Sequence, residues 1–174
     1  MNYEQYQNFI REYSESYQLD TAVLIDTHVM GLMGECGEII ECLKKESRDG
    51  SLDVVKLTGE LGDVLAYLSL VAGHKGFSFS EFDKYSLTDE LLQDKSNIDY
   101  CKWLYDSVGS VIHLDILGYN TKSYIKSNIT MVYTVLCSIA NAKGIDMNYV
   151  RDNNYEKLLK RWDNGKQRGS GDYR

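Results

Sequence analysis

The chain has 174 residues, enough for one domain, and its 43% hydrophobic and 11% aromatic content excludes a disordered polymer. A net charge of −7 argues against a nucleic-acid coat, and no apolar run approaches the ~20 residues of a membrane span. Proline is absent, and because proline breaks helix interiors this leans the fold toward all-α.

Cys36, Cys42, Cys101 and Cys137 form no CxxC and fall within helical patterns, which reads as reduced thiols of an intracellular protein. The polar start Met1–Tyr6 carries no apolar signal core, so a soluble, cytoplasmic protein is expected. The acidic balance is uneven. From Lys157 onward, Lys157, Lys160, Arg161, Lys166, Arg168 and Arg174 outnumber Asp163 and Asp172. A cationic tail on an acidic body suits a small anionic ligand better than a long polyanion.

Apolar residues at helical spacing (Tyr6, Phe9, Ile10, Tyr13, Tyr17) predict a first amphipathic helix over about 3–17. Asp20-Thr21 caps a second helix, about 21–45, with the stripe Ile25, Val29, Leu32, Cys36, Ile39, Ile40 and Leu43. After a turn at Arg48–Ser51 a third helix, about 52–74, carries Leu57, Leu61, Val64, Leu65, Leu68 and Val71, and Lys75-Gly76 ends it. Ser80–Asp83 starts a further short turn of helix.

The second half reads as a worn copy of the first, giving possible pseudo-repeat halves 1–84 and 85–152 and a basic tail 153–174. Setting Gly109 on Gly37 places Ser107 and Ser110 where Glu35 and Glu38 stand; Asn128 and Met131 then replace Glu60 and Asp63. The alternative is that any two amphipathic hairpins of this length are this alike, and the two readings weigh equally.

The chemistry concentrates in two short stretches, Gly34-Glu35-Cys36-Gly37-Glu38 and Gly59-Glu60-Leu61-Gly62-Asp63. Each places two acids three residues apart on one helix face, on matching shoulders of their apolar stripes, with Tyr67 on the same acidic shoulder. A short antiparallel hairpin would bring the four carboxylates together. Such acid pairs repel, and neither has a lysine four residues further on to relieve it. Gly34, Gly37, Gly59 and Gly62 each cost a helix interior roughly 1 kcal/mol relative to alanine, which asks for close helix approach or room for a ligand. Carboxylates without histidine select a hard cation: Mg²⁺ first, Mn²⁺ as substitute, with zinc and a ferritin-like di-iron centre disfavoured. The expected ligands are Glu35, Glu38, Glu60 and Asp63, with either Glu38 or Glu41 orienting or deprotonating a water. His28, His74 and His113 show no partner pattern and read as structural, and Trp103 and Trp162 as core or bundle-cap residues.

The run from Gly31 to Glu41, with Lys44-Lys45 and then Glu60–Leu68 after it, resembles the MazG-like all-α nucleotide pyrophosphohydrolases, whose signature is Glu-x-x-Glu followed by Glu-x-x-Asp. Asn154–Arg161 resembles that family's Asn-x-x-Lys-Leu-x-x-Arg, and Gly169–Arg174 its Gly-Ser-Gly-Asp-Asn-Arg ending. Tyr173 stands where asparagine is usual and Tyr67 where tryptophan is common; roughly residues 84–143 are extra to a compact member.

The resemblance implies a single helical-bundle domain that hydrolyses nucleoside triphosphates to monophosphate and pyrophosphate with Mg²⁺. Lys157, Arg161, Lys166, Arg168 and Arg174 are candidates for offsetting phosphate charge, of which the resemblance lifts Lys157, Arg161 and Arg174 above the others. Asn154 and Asp172 join the substrate contacts through the matched motifs, Tyr67 is a candidate to stack on a base, and a homo-oligomer, dimer or tetramer, is implied. The competing readings are a selective dUTPase-like or alarmone-hydrolysing enzyme, a non-catalytic nucleotide-sensing module, and a structural bundle without ligand.

Overall fold

The computed structural model describes residues 1–82, 95–116 and 122–166, with 114–116 described by backbone alone. Among the described residues six α-helices and one 3₁₀ turn account for the elements, and no strand occurs. The helices are α1 (Tyr3–Glu15), α2 (Thr21–Asp49), α3 (Val54–His74), α4 (Asn97–Ile116), α5 (Lys122–Ala142) and α6 (Met147–Asp163); the 3₁₀ turn is Phe79–Glu81. The fold is an all-α helical bundle.

Side chains with free oxygens fix the helix starts. Asn2 accepts from the Gln5 amide while the Gln5 side chain accepts from Asn2, a capping box. Asp20, Asp53 and Asp146 cap α2, α3 and α6 in the simpler way, each accepting from a first-turn amide. The second helix is longer than expected: it continues to Asp49, and Gly50 at φ +73° stops it. Glycines in the same left-handed region, Gly76 at +77° and Gly144 at +69°, follow α3 and α5. Behind them Phe77 donates to the Ala72 carbonyl and Ile145 to the Ala140 carbonyl, closing both ends alike.

The third helix is the axis of the molecule. It packs on α2 through the short 50–53 connection and also meets α1, α5 and α6, while α4 pairs with α5 and leans on α2. Its residues are therefore buried beyond the expected stripe: Thr58, Gly62, Ala66, Ser69, Leu70 and Ala72 join Leu57, Leu61, Val64, Leu65, Leu68 and Val71. On α2 the buried face is His28, Leu32, Cys36, Ile39, Cys42 and Leu43, while Ile25, Val29 and Ile40 of the expected stripe are only partly buried. Between α1 and α6, Phe9, Tyr13, Tyr17, Tyr155 and Trp162 form a chain of ring contacts. Lys143 Nζ reaches Glu46 at 2.6 Å and Asn97 at 2.9 Å, pinning the α5 end to α2 and α4.

The glycines divide into two kinds. A Cβ on Gly62 would lie 2.8 Å from Cβ of Asn154, so α6 can approach α3 only over a glycine. A Cβ on Gly31 would overlap the Tyr67 ring. At Gly34, Gly37 and Gly59 nothing lies within 4 Å. Close helix approach within the chain thus explains Gly62 and Gly31 but not the other three. Gly37→Ala should therefore raise stability by about 0.5–1 kcal/mol through helix propensity. Gly62→Ala should lower it by about 1–3 kcal/mol through overpacking, both read from denaturant midpoints.

Candidate metal and nucleotide site

Because α2 and α3 lie side by side, their acidic shoulders meet. One carboxylate oxygen each from Glu35, Glu60 and Asp63 lies within 4.8 Å of the others, all three half-buried. This crowding shows in Glu35, whose pKa is pushed up to about 7 by burial first and then by Asp63 and Glu60. The donors are oxygens only, which matches the preference of a hard divalent cation, and adding positive charge would relieve the repulsion.

Glu38 is outside this cluster. It is half-exposed and accepts from Lys56 Nζ at 3.3 Å, and the same ammonium lies 3.6 Å from Glu60. A lysine relieving the acids therefore exists, four residues before Glu60 and not after either pair. Glu41 points elsewhere: it pairs with Lys44 and Lys45, and the hydrogen bond from Lys44 leads in holding its pKa below the ordinary value.

The sixth helix supplies the counter-charge. Lys157 Nζ lies 2.6 Å from each oxygen of Asp63, and Asn154 Nδ2 donates to Oδ1 at 2.8 Å. Asn154 is fully enclosed, and its own oxygen accepts from the Tyr6 hydroxyl at 2.8 Å. Asn154 thus positions Asp63 and does not line the neighbouring cavity. Burial, followed by the nearby Asp63 charge, keeps Tyr6 protonated with its pKa well above the usual tyrosine range.

Among the described residues one concavity borders the acids and another lies against Lys157, which is paired with Asp63. One, bordered by Glu35 and Asp63, is walled by Tyr13, Tyr17, Tyr67 and Leu158, with Ser14, Thr27 and His28 as polar groups. The other runs along α6 between Lys157, Lys160, Arg161 and Lys166, with Glu156 the acid on its rim among the described residues. Arg161 borders both. Arg168, Asp172 and Arg174 lie outside the described residues.

Two of the three histidines, His28 and His74, differ from the sequence reading in having partners. Ser14 Oγ is 2.5 Å from His28 Nε2, and His28 Nδ1 is 2.7 Å from His74 Nε2. The first histidine is held neutral, with its pKa lowered to about 4 by burial and then by His74. Ser14, His28 and His74 are distant in sequence, so no local spacing betrays them. In the second hairpin the Ser107 and Ser110 hydroxyls donate only to carbonyls one turn back, and Met131 is exposed.

The shifted acid gives a pH prediction. A carboxyl whose pKa rises from 4.5 to about 7 on folding contributes stability below pH 4.5 that is lost as pH climbs through 7. His28 works the opposite way, its contribution being present above pH 6.5 and lost as pH falls toward 4. In cation-free buffer Glu35→Gln should therefore remove a decline in stability between about pH 5 and 7.5, leaving the acid-side loss intact. Denaturant titrations at several pH values check this; identical pH profiles for both proteins would contradict it.

Residues 25–85 match the family model described as the MazG nucleotide pyrophosphohydrolase domain. No curated protein and no solved structure matches the chain at a significant level. The matched segment contains Glu35, Glu38, Glu60 and Asp63 together with Tyr67 and the hairpin that carries them. Over that segment, about a third of its length, the chain is similar to the MazG nucleotide pyrophosphohydrolase domain.

Proposed function

We propose that the protein hydrolyses nucleoside or deoxynucleoside triphosphates to monophosphate and pyrophosphate, dependent on Mg²⁺ with Mn²⁺ as substitute. The observation carrying this reading is the convergence of Glu35, Glu60 and Asp63 beside an aromatic pocket and a basic groove that share Arg161. Carboxylates alone would repel a polyphosphate; carboxylates with a cation would bind it. Glu35, Glu60 and Asp63 would hold the ion, which would offset charge on the phosphate oxygens and acidify a water.

The remaining roles fall to the chain. Tyr67, seated on Gly31, with Tyr13 and Tyr17 would enclose the nucleoside, since rings offer apolar area at low entropic cost. Lys157, Arg161 and Lys166 would offset phosphate charge. The water would attack the α-phosphorus, breaking its bond to the bridging oxygen that departs with pyrophosphate. Its proton would pass to Glu38, one helical turn from Glu35 and more exposed, whereas Glu41 is held by Lys44 and Lys45. Asn154 would serve by holding Asp63.

With a panel of triphosphates, pyrophosphate rather than orthophosphate should appear, and only with a divalent cation. Asp63→Asn and Glu35→Gln should each lower kcat/KM by at least about 100-fold with helicity retained. Arg161→Met should act mainly on KM. Full activity in Glu35→Gln and Asp63→Asn, or release of orthophosphate alone, would sink the reading.

A further inference from the structure

The least expected feature of the site is that its best-formed ion pair uses up a carboxylate the reaction needs. Lys157 does not merely approach Asp63: it lies 2.6 Å from both oxygens, and both residues are largely shielded from water. Its ammonium and the Asn154 amide therefore occupy most of the acceptor positions of Asp63, about three of four, and compete with a divalent cation for them. Lys56, by comparison, sits at 3.3 and 3.6 Å from Glu38 and Glu60 in a more open setting, a looser contact.

On one side of Lys157 its partner is fixed, and on the other its surroundings are predominantly cationic. Asp63 cannot swing away, because Asn154, itself held by Tyr6 and seated over Gly62, grips Oδ1. The mobile partner is the lysine, a compact charge on a flexible stem. Its other surroundings are the α6 groove, where Lys160, Arg161 and Lys166 outnumber Glu156 and would repel it unless an anion lay there. Two arrangements follow. With no ligand the ammonium rests on Asp63; with a polyphosphate in the groove it is drawn outward and Asp63 is released.

We propose that Lys157 is an internal counter-cation that competes with the divalent ion for Asp63 and hands the carboxylate over when a polyphosphate enters the basic groove. Cation and polyphosphate then favour the same arrangement, so each strengthens binding of the other, and the coupling is reciprocal. The consequence is a site that takes up the ion poorly until substrate is present. This rests on the metal site proposed above.

The test measures Mn²⁺ binding without nucleotide, by the electron paramagnetic resonance signal of free Mn²⁺. Lys157→Met and Lys157→Gln should bind Mn²⁺ about tenfold more tightly than the unmodified protein, the scale of one charge-assisted contact. Lys160→Met removes the same charge from the same groove and should change affinity less than about twofold. Equal tightening in Lys157→Met and Lys160→Met would reduce the effect to net charge and overturn the proposal. So would unchanged affinity in both Lys157 variants, provided Glu35→Gln abolishes binding. Binding unaffected by Glu35→Gln, or none in any variant, would overturn the metal site and this inference together.

Discussion

Mutual repulsion among Glu35, Glu60 and Asp63 is the constraint around which the rest of the molecule is arranged. Three carboxylates lie within 4.8 Å of one another, and burial first, then Asp63 and Glu60, push the pKa of Glu35 up to about 7. Helices α2 and α3 must pack closely to bury their stripes, and that packing forces the acidic shoulders together. The repulsion is tolerated because two lysines lean in, Lys56 from α3 and Lys157 from α6. A divalent cation would do the same with two charges at one point. The fold stores, in effect, a demand for positive charge at a defined place.

The other elements make sense as supports of that place. Helix α6 reaches Asp63 only because Gly62 lets Asn154 pass, and Asn154 stays put because Tyr6 of α1 holds its other end. One glycine, one amide and one hydroxyl from three helices fix one carboxylate. Removing any of them loosens Asp63 without touching a phosphate, so defects far from the chemistry should still register there. The second hairpin, α4 with α5, contributes bulk and the Glu46–Lys143–Asn97 junction and brings no acid to the cluster.

Much of this was legible in the sequence because it is local. The 3.6-residue period marked α1, α2 and α3, and the two acid pairs on matching shoulders marked their meeting. What stayed hidden depends on side chains far apart in the chain. Nothing near Lys157 announces that it closes on Asp63, 94 residues away. Nothing near His28 announces Ser14 and His74 as partners. The place of the fourth acid was hidden for a related reason: a face shared on a helix does not fix where a long side chain ends, and the Glu38 carboxylate lies against Lys56, outside the group of three. The glycines were half legible. Their cost was readable at once, whereas only packing separates Gly62, pressed by Asn154, from Gly37, which faces open space.

The central claim is that these three carboxylates converge to hold one kind of ion. It is tested most directly by crystals soaked in Mn²⁺ and measured for anomalous scattering. The account predicts an anomalous peak within coordination distance of Glu35, Glu60 and Asp63. A peak held by other residues, or none here at saturating Mn²⁺, would contradict it.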